Sequence, residues 1–142
     1  MEALGAVDPT LPEVIRAFAE AAAEHGVFLE PASRSLMVKW HGPDEKDYAL
    51  GGFSVNGFIS YSVNYVPNTI GRIDLAHDYL EELARLVGGA VRQTAAPDQW
   101  YVVRQGSITV PTAMEVLARQ VEWLKLIENY TRRLKEAIES RG

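Results

Sequence analysis

The stretch Tyr48-Ala49-Leu50-Gly51-Gly52-Phe53-Ser54-Val55-Asn56-Gly57-Phe58-Ile59-Ser60-Tyr61-Ser62-Val63-Asn64-Tyr65 decides the fold. It reads as two β-strands joined at Asn56-Gly57, the strongest short-range hairpin signal. A two-residue turn there sets Val55 against Phe58, Gly52 against Tyr61, Leu50 against Val63 and Tyr48 against Tyr65. One face then carries Tyr48, Leu50, Gly52, Ser54, Ile59, Tyr61, Val63 and Tyr65, and is expected to meet the core, with Tyr61 folded over Gly52. The other face starts with an apolar knot at the hairpin tip (Phe53, Val55, Phe58) and becomes small and polar towards Ser60, Ser62 and Asn64.

Working outward, Leu36, Val38 and Trp40 alternate with Ser35, Met37 and Lys39, so 35–40 reads as a strand. A polar turn-forming loop, His41 to Asp47, links it to the hairpin. Upstream, Leu11, Val14, Ile15, Phe18 and Ala22 recur at helical spacing, and a helix is expected over 11–25. Thr10 and Glu13 stand at capping-box positions and Pro12 sits in the first turn, where it removes no helical hydrogen bond. Residues 1–9 read as a flexible lead-in and 10–142 as a single domain.

Downstream, Ile73, Leu75, Ala76, Tyr79, Leu80, Leu83, Leu86 and Val87 give a second helix over 72–87, stopped by Gly88-Gly89. Residues 90–93 and 100–104 read as short strands with a turn at Pro97-Asp98, and 107–110 as a further extended piece. Thr112, with Glu115 three residues on, caps a helix expected to run unbroken to 139. That helix carries two apolar rows, Met114, Leu117, Val121 and Leu124, and Val116, Trp123, Ile127, Tyr130 and Leu134. Two rows need two partners: the sheet for the first, and for the second either another helix of the same chain or a second subunit, with a homodimer interface the expectation taken. Glu81/Arg85, Glu115/Arg119 and Glu128/Arg132 are spaced for ion pairs one turn apart. The fold class expected is α+β: helix, three-stranded antiparallel meander, helix, two short strands, long C-terminal helix.

Composition bounds the function. The 142 residues carry a net charge of −5, with nine acids and four bases in residues 1–47 and ten of each in the remainder. The acidic half argues against a nucleic-acid partner, which calls for clustered Lys and Arg. It favours a basic protein partner or serves solubility. No run of 18 apolar residues suggests a membrane span. With no secretory signal at the N-terminus and no cysteine, a cytoplasmic location is expected.

The three histidines, His25, His41 and His77, are not spaced as metal ligands, and no metal or cofactor is expected. The His41–Asp47 loop gathers Asp44, Glu45 and Asp47 beside an imidazole. It would suit acid–base chemistry or a cation if the spacing were that of an oxygen-ligand loop, which it is not. There is no G-x-G-x-x-G, P-loop or G-x-S-x-G run. Gly51-Gly52 inside a strand reads as a bulge or a close-approach position.

Leu11-Pro12-Glu13-Val14-Ile15 opening the first helix, the meander from Leu36 to Pro67, the helix from Asp74 to Val87 and the long helix after Pro111 together resemble the type III secretion chaperone-like fold, including the bacterial YbjN-type proteins. The resemblance spans about residues 10–138 and is one of element order. It implies a small acidic homodimer that holds an extended segment of a client protein without enzymatic activity. The element order is also similar to the core of restriction-endonuclease-like nucleases, where Asp47 would supply one acid; the expected third strand, 58–65, lacks the other acid and the lysine. The function expected is therefore a chaperone-like protein- or peptide-binding module. Phe18, Phe53, Val55 and Phe58 are the expected partner contacts. A small acidic immunity or inhibitor protein, or a degenerate nuclease or hydrolase using Asp44, Glu45, Asp47 and His41, is the alternative.

Overall fold

Helix α1 (Leu11–Ala23) forms on the expected stripe: Leu11, Ile15, Phe18 and Ala22 are buried at steps of four, three and four. Gly26, at φ +74°, turns the chain out of it, a conformation that costs glycine little. The computed structural model describes residues 9–93 and 100–141. The expected lead-in over 1–8 and the turn at Pro97-Asp98 lie outside the described residues.

Four antiparallel strands follow in sequential order: β1 (Val27–Pro31), β2 (Ser35–His41), β3 (Asp47–Ser54) and β4 (Gly57–Ile59). A 3-10 turn (Tyr61–Asn64) runs into the short helix α2 (Tyr65–Thr69), and helix α3 (Ile73–Leu86) comes next. A second, two-stranded antiparallel sheet pairs β5 (Gly89–Gln93) with β6 (Trp100–Arg104). Helices α4 (Ala113–Leu117) and α5 (Gln120–Arg141) close the chain. The fold is α+β, as its element pattern indicates, with one more strand than the expected meander. Strand β1 pairs Val27 with Trp40 and Leu29 with Val38. Its Val-Phe-Leu run does not alternate, because Phe28 on the far face is itself half-buried.

The hairpin keeps its place but not its expected register. Phe53 faces Phe58 and Gly52 faces Ile59, so the turn spans Val55 and Asn56. Strand β4 ends after three residues, and the expected strand 58–65 gives way to helical turns from Tyr61 on. Further back, Val38 faces Gly51 while Lys39 faces Ala49, which leaves Leu50 as the extra residue of a β-bulge. A bulge shifts the alternation of faces by one. Tyr48 and Leu50 therefore point into the core before it, and Phe53 and Phe58 after it. This inverts the expected assignment at the tip. The opposite face carries Phe28, Met37, Lys39 and Ile59, with Lys39 Nζ 2.9 Å from Glu30.

Trp123 sits at the centre of the core. Phe18 stacks on it at 4.6 Å and 6°, and Phe53 and Phe58 meet it edge-on at 6.0 and 5.5 Å. Its indole N–H donates to Tyr79 Oη at 2.9 Å, and that hydroxyl donates to the Leu50 carbonyl at 2.6 Å. Tyr130 stacks on Tyr79 at 4.4 Å. Burying each such ring contributes about 1.5–3 kcal/mol.

The capping box at Thr112 forms: its hydroxyl accepts from Glu115 N at 3.1 Å, and Thr112 N donates to Glu115 Oε2 at 3.3 Å. The expected single helix is nevertheless broken at Ala118-Arg119, where Arg119 N bonds back only three residues to Val116 O at 3.0 Å. Val116, Trp123, Ile127, Tyr130 and Leu134 are all buried inside this one chain. The row assigned to a dimer interface thus finds its partner in the chain's own sheet and helix α3. The expected ion pairs are also replaced: Arg85 meets Glu82, Glu115 meets Arg104, and Arg132 meets Glu136.

Candidate functional site

At the hairpin tip, Ser54 Oγ donates to the Gly57 carbonyl at 2.8 Å and accepts from Asn56 N at 3.2 Å. Gly57 has φ +123°, and a β-carbon there would lie 2.6 Å from Val110 Cγ2 and 2.9 Å from the Pro111 carbonyl oxygen. The chain from Ser107 to Pro111 is what presses on it. This segment straps the two sheets together: Phe58 N donates to Pro111 O at 2.7 Å and Arg104 N to Thr109 O at 2.8 Å.

Strap, hairpin tip and the starts of α1 and α4 enclose a groove of about 490 Å³ walled by Leu11, Val55, Val110, Ala113 and Met114. Arg104 is the charged residue on its lining among the described residues. Its Nη2 donates to Glu115 Oε1 at 2.5 Å, which raises the guanidinium pKa above its already high ordinary value, chiefly through that hydrogen bond. A second cleft of about 180 Å³ lies across the hairpin, lined by Ile59, Tyr61, Tyr101 and again Val110. Tyr61 in turn meets Tyr65 edge-on at 6.1 Å. The result is an apolar track from Tyr65 through Val110 to Met114. Val55 is 40 % exposed, Tyr61 and Tyr65 are each 46 % exposed, and Ile108 on the strap is 67 % exposed.

Of the expected contact residues, Val55 lies on this track. Phe18 and Phe53 do not, and Phe58 only borders the second cleft: all three pack around Trp123, at most 1 % exposed. The bulge turned Phe53 and Phe58 inward, and Phe18 lies on the buried stripe of α1. Leu11, Val110, Met114, Tyr61 and Tyr101 were not expected there. Gly106 and Pro111 bracket the strap as a non-helical piece, but nothing local in 107–111 says which neighbours it crosses.

The His41–Asp47 loop is a tight β2–β3 turn whose polar groups satisfy one another. His41 lies 2.7 Å from Asp47 through Nδ1 and 3.4 Å from Glu45 through Nε2. The Asp47 hydrogen bond, more than that of Glu45, raises its pKa. Asp44 accepts from Tyr48 Oη at 2.7 Å, tying the loop to a core side chain. Among the described residues, no three His, Cys, Asp or Glu side chains converge as a metal site.

A depression of about 740 Å³ between α3 and α5 is walled by charges of both signs, including Asp78, Glu81, Lys125 and Arg133. Several are paired: Arg133 donates to Asp78 at 3.2 Å, and His77 lies 3.4 Å from Glu81. Two of the small polar residues expected on the hairpin face, Ser60 and Asn64, make structural bonds. Ser60 Oγ accepts from Val102 N at 2.8 Å, and Asn64 Nδ2 donates to Trp100 O at 2.8 Å, so both clip the second sheet to the first. No helix among the described residues is long and apolar enough to cross a membrane. No family model, curated protein or solved structure matches this chain.

Proposed function

We propose that this chain is a non-enzymatic, chaperone-like module that binds a protein or peptide segment along the hairpin-tip track. The observation that carries the reading is the exposure of Val55, Tyr61 and Tyr65 on one track, beside a groove walled in part by Leu11, Val110, Ala113 and Met114. Exposed apolar side chains are ordinary when scattered, and contiguous ones mark contact sites. Tyrosines supply large contact area at little entropic cost, and their hydroxyls stay hydrated until a partner arrives. The resemblance to type III secretion chaperone-like proteins, drawn on element order, supports the same mode of action. An inhibitor blocking its target through this track would work by the same physics.

A photo-crosslinking side chain at position 55, in the protein's native host, is expected to capture a partner that the same side chain at Glu128, on the outer side of α5, does not. Val55→Asp is expected to weaken that capture while moving the fold's stability by no more than about 0.5 kcal/mol, as for an exposed position. Equal capture from both positions, or capture indifferent to a charge at position 55, defeats the proposal. Calorimetric titration with magnesium, manganese and zinc probes the enzymatic alternative, and tight stoichiometric binding at the His41–Asp47 loop would revive it.

A further inference from the structure

Resting on the reading of the hairpin-tip groove as a binding site, we infer that the segment it takes is acidic as well as apolar: an extended stretch with an Asp or Glu close to a branched aliphatic residue. The expectation from net charge alone is the reverse, a basic partner. The groove differs from the surface average. The chain holds 19 acids, yet among the described residues no carboxylate lines this groove, and Arg104 is the charged group that does.

Arg104 is set up for the task. Its backbone is held by Thr109, and its guanidinium is steered by Glu115. That carboxylate is itself fixed by the backbone of Thr112. Among the described residues, one of the five guanidinium N–H donors is used, by Glu115 Oε1. The other donors remain for a second oxygen acceptor at the rim of the apolar wall. A fork held in one orientation loses little entropy on pairing, and a charge-assisted bond to a carboxylate is about twice as strong as a neutral one. Glu115 offsets the charge of Arg104 without occupying the groove, so the cation is present there at small cost when empty. A basic segment would find no carboxylate on this lining among the described residues.

The probe is a displayed library of random-sequence dodecapeptides, selected on the intact protein. Each enriched peptide is then measured by fluorescence anisotropy against wild type, Val55→Asp, Arg104→Gln and Arg104→Lys, with thermal melting to confirm that each variant is folded. The expected winners lose binding to Val55→Asp and carry Asp or Glu within two residues of Leu, Ile or Val. They lose about tenfold affinity on Arg104→Gln, the order of a charge-assisted hydrogen bond, and Arg104→Lys restores only part of it. Winners that need Val55 but are basic or neutral, or are indifferent to Arg104→Gln, overturn the acidic preference and leave the groove standing. Winners indifferent to Val55→Asp, or an absence of winners, overturn both.

Discussion

Gly51 shows how one residue orients a sheet. The Phe58 ring lies so close over it that a β-carbon would stand 2.3 Å from Cζ, and its φ of +150° suits glycine best. The sequence marks Gly51-Gly52 as a bulge or close-approach site and expects an aromatic ring over glycine. The pair it names, Tyr61 over Gly52, does not form: Gly52 faces Ile59 and Tyr61 begins a 3-10 turn, because the register is set beyond the hairpin. Phe58 covers Gly51, and Met37, with Sδ 2.6 Å from a β-carbon placed on Gly52, covers the other. Gly51→Ala therefore pushes Phe58 off Trp123, and a loss of about 2–3 kcal/mol, the scale of overpacking in a tight core, is expected in urea unfolding. A loss below about 0.5 kcal/mol would mean that the ring is free to move aside. His41 offers a residue-scale test of a different kind. Its folded pKa is raised above 6.5, mainly by the Asp47 hydrogen bond. Protonation therefore favours the folded turn: the contribution is complete below pH 6.5 and fades as pH rises through the folded pKa. An NMR titration of the His41 ring should show a midpoint above 6.5 that Asp47→Asn lowers. A midpoint unaltered by that substitution would place the cause elsewhere.

Among the elements, the two helix starts that look alike in sequence behave differently. Thr10-x-x-Glu13 and Thr112-x-x-Glu115 both read as capping boxes. Thr112 takes the extended backbone that aims a hydroxyl at the helix, with φ −76° and ψ 161°. Thr10 is already helical at φ −85° and ψ −16°, and its side chain makes no cap. Glu13 pairs with Arg16 instead. The spacing is legible in the sequence, whereas the dihedral that makes it work is set by the chain leading in. Thr112→Ala is expected to cost about 1–2 kcal/mol, the usual value of a lost N-cap. Thermal unfolding of the variant decides it, and a loss below about 0.5 kcal/mol would contradict the geometry. The break at Ala118-Arg119 is the least legible element boundary. Neither residue is a helix breaker, and the reason for it lies in packing: α4 buries Ala113, Val116 and Leu117, while α5 buries Trp123, Ile127 and Tyr130. A periodicity argument counts rows and does not see the bend, with which one chain covers the second row whole and leaves Val121 of the first exposed.

For the whole molecule, the order of elements was readable and the way the two sheets join was not. Patterning marks helices and strands by local period, so α1, α3, β2, β5 and β6 fall close to their expected places. The joint depends on two buried polar residues that local reading placed on a polar strand face. Asn64 lies at the end of a 3-10 turn and donates to both Tyr61 O, at 2.6 Å, and Trp100 O, at 2.8 Å. Ser60 takes Val102 N. Buried polar groups of this kind are costly unless paired, and here the bonds of Asn64 to Trp100 O and of Ser60 to Val102 N reach the second sheet. Asn64→Leu removes both donated bonds, a loss of about 1–3 kcal/mol. The loss should be uneven. Native-state hydrogen exchange is expected to show reduced protection in β5 and β6 beyond that in β2 and β3, because the four-stranded sheet keeps its own ladder and its contacts with Trp123. Partial openings of this kind follow the contacts that hold each unit. Uniform loss across both sheets would instead make them one cooperative unit. The hairpin-tip track would then share the stability of the core rather than resting on a strap between separable parts.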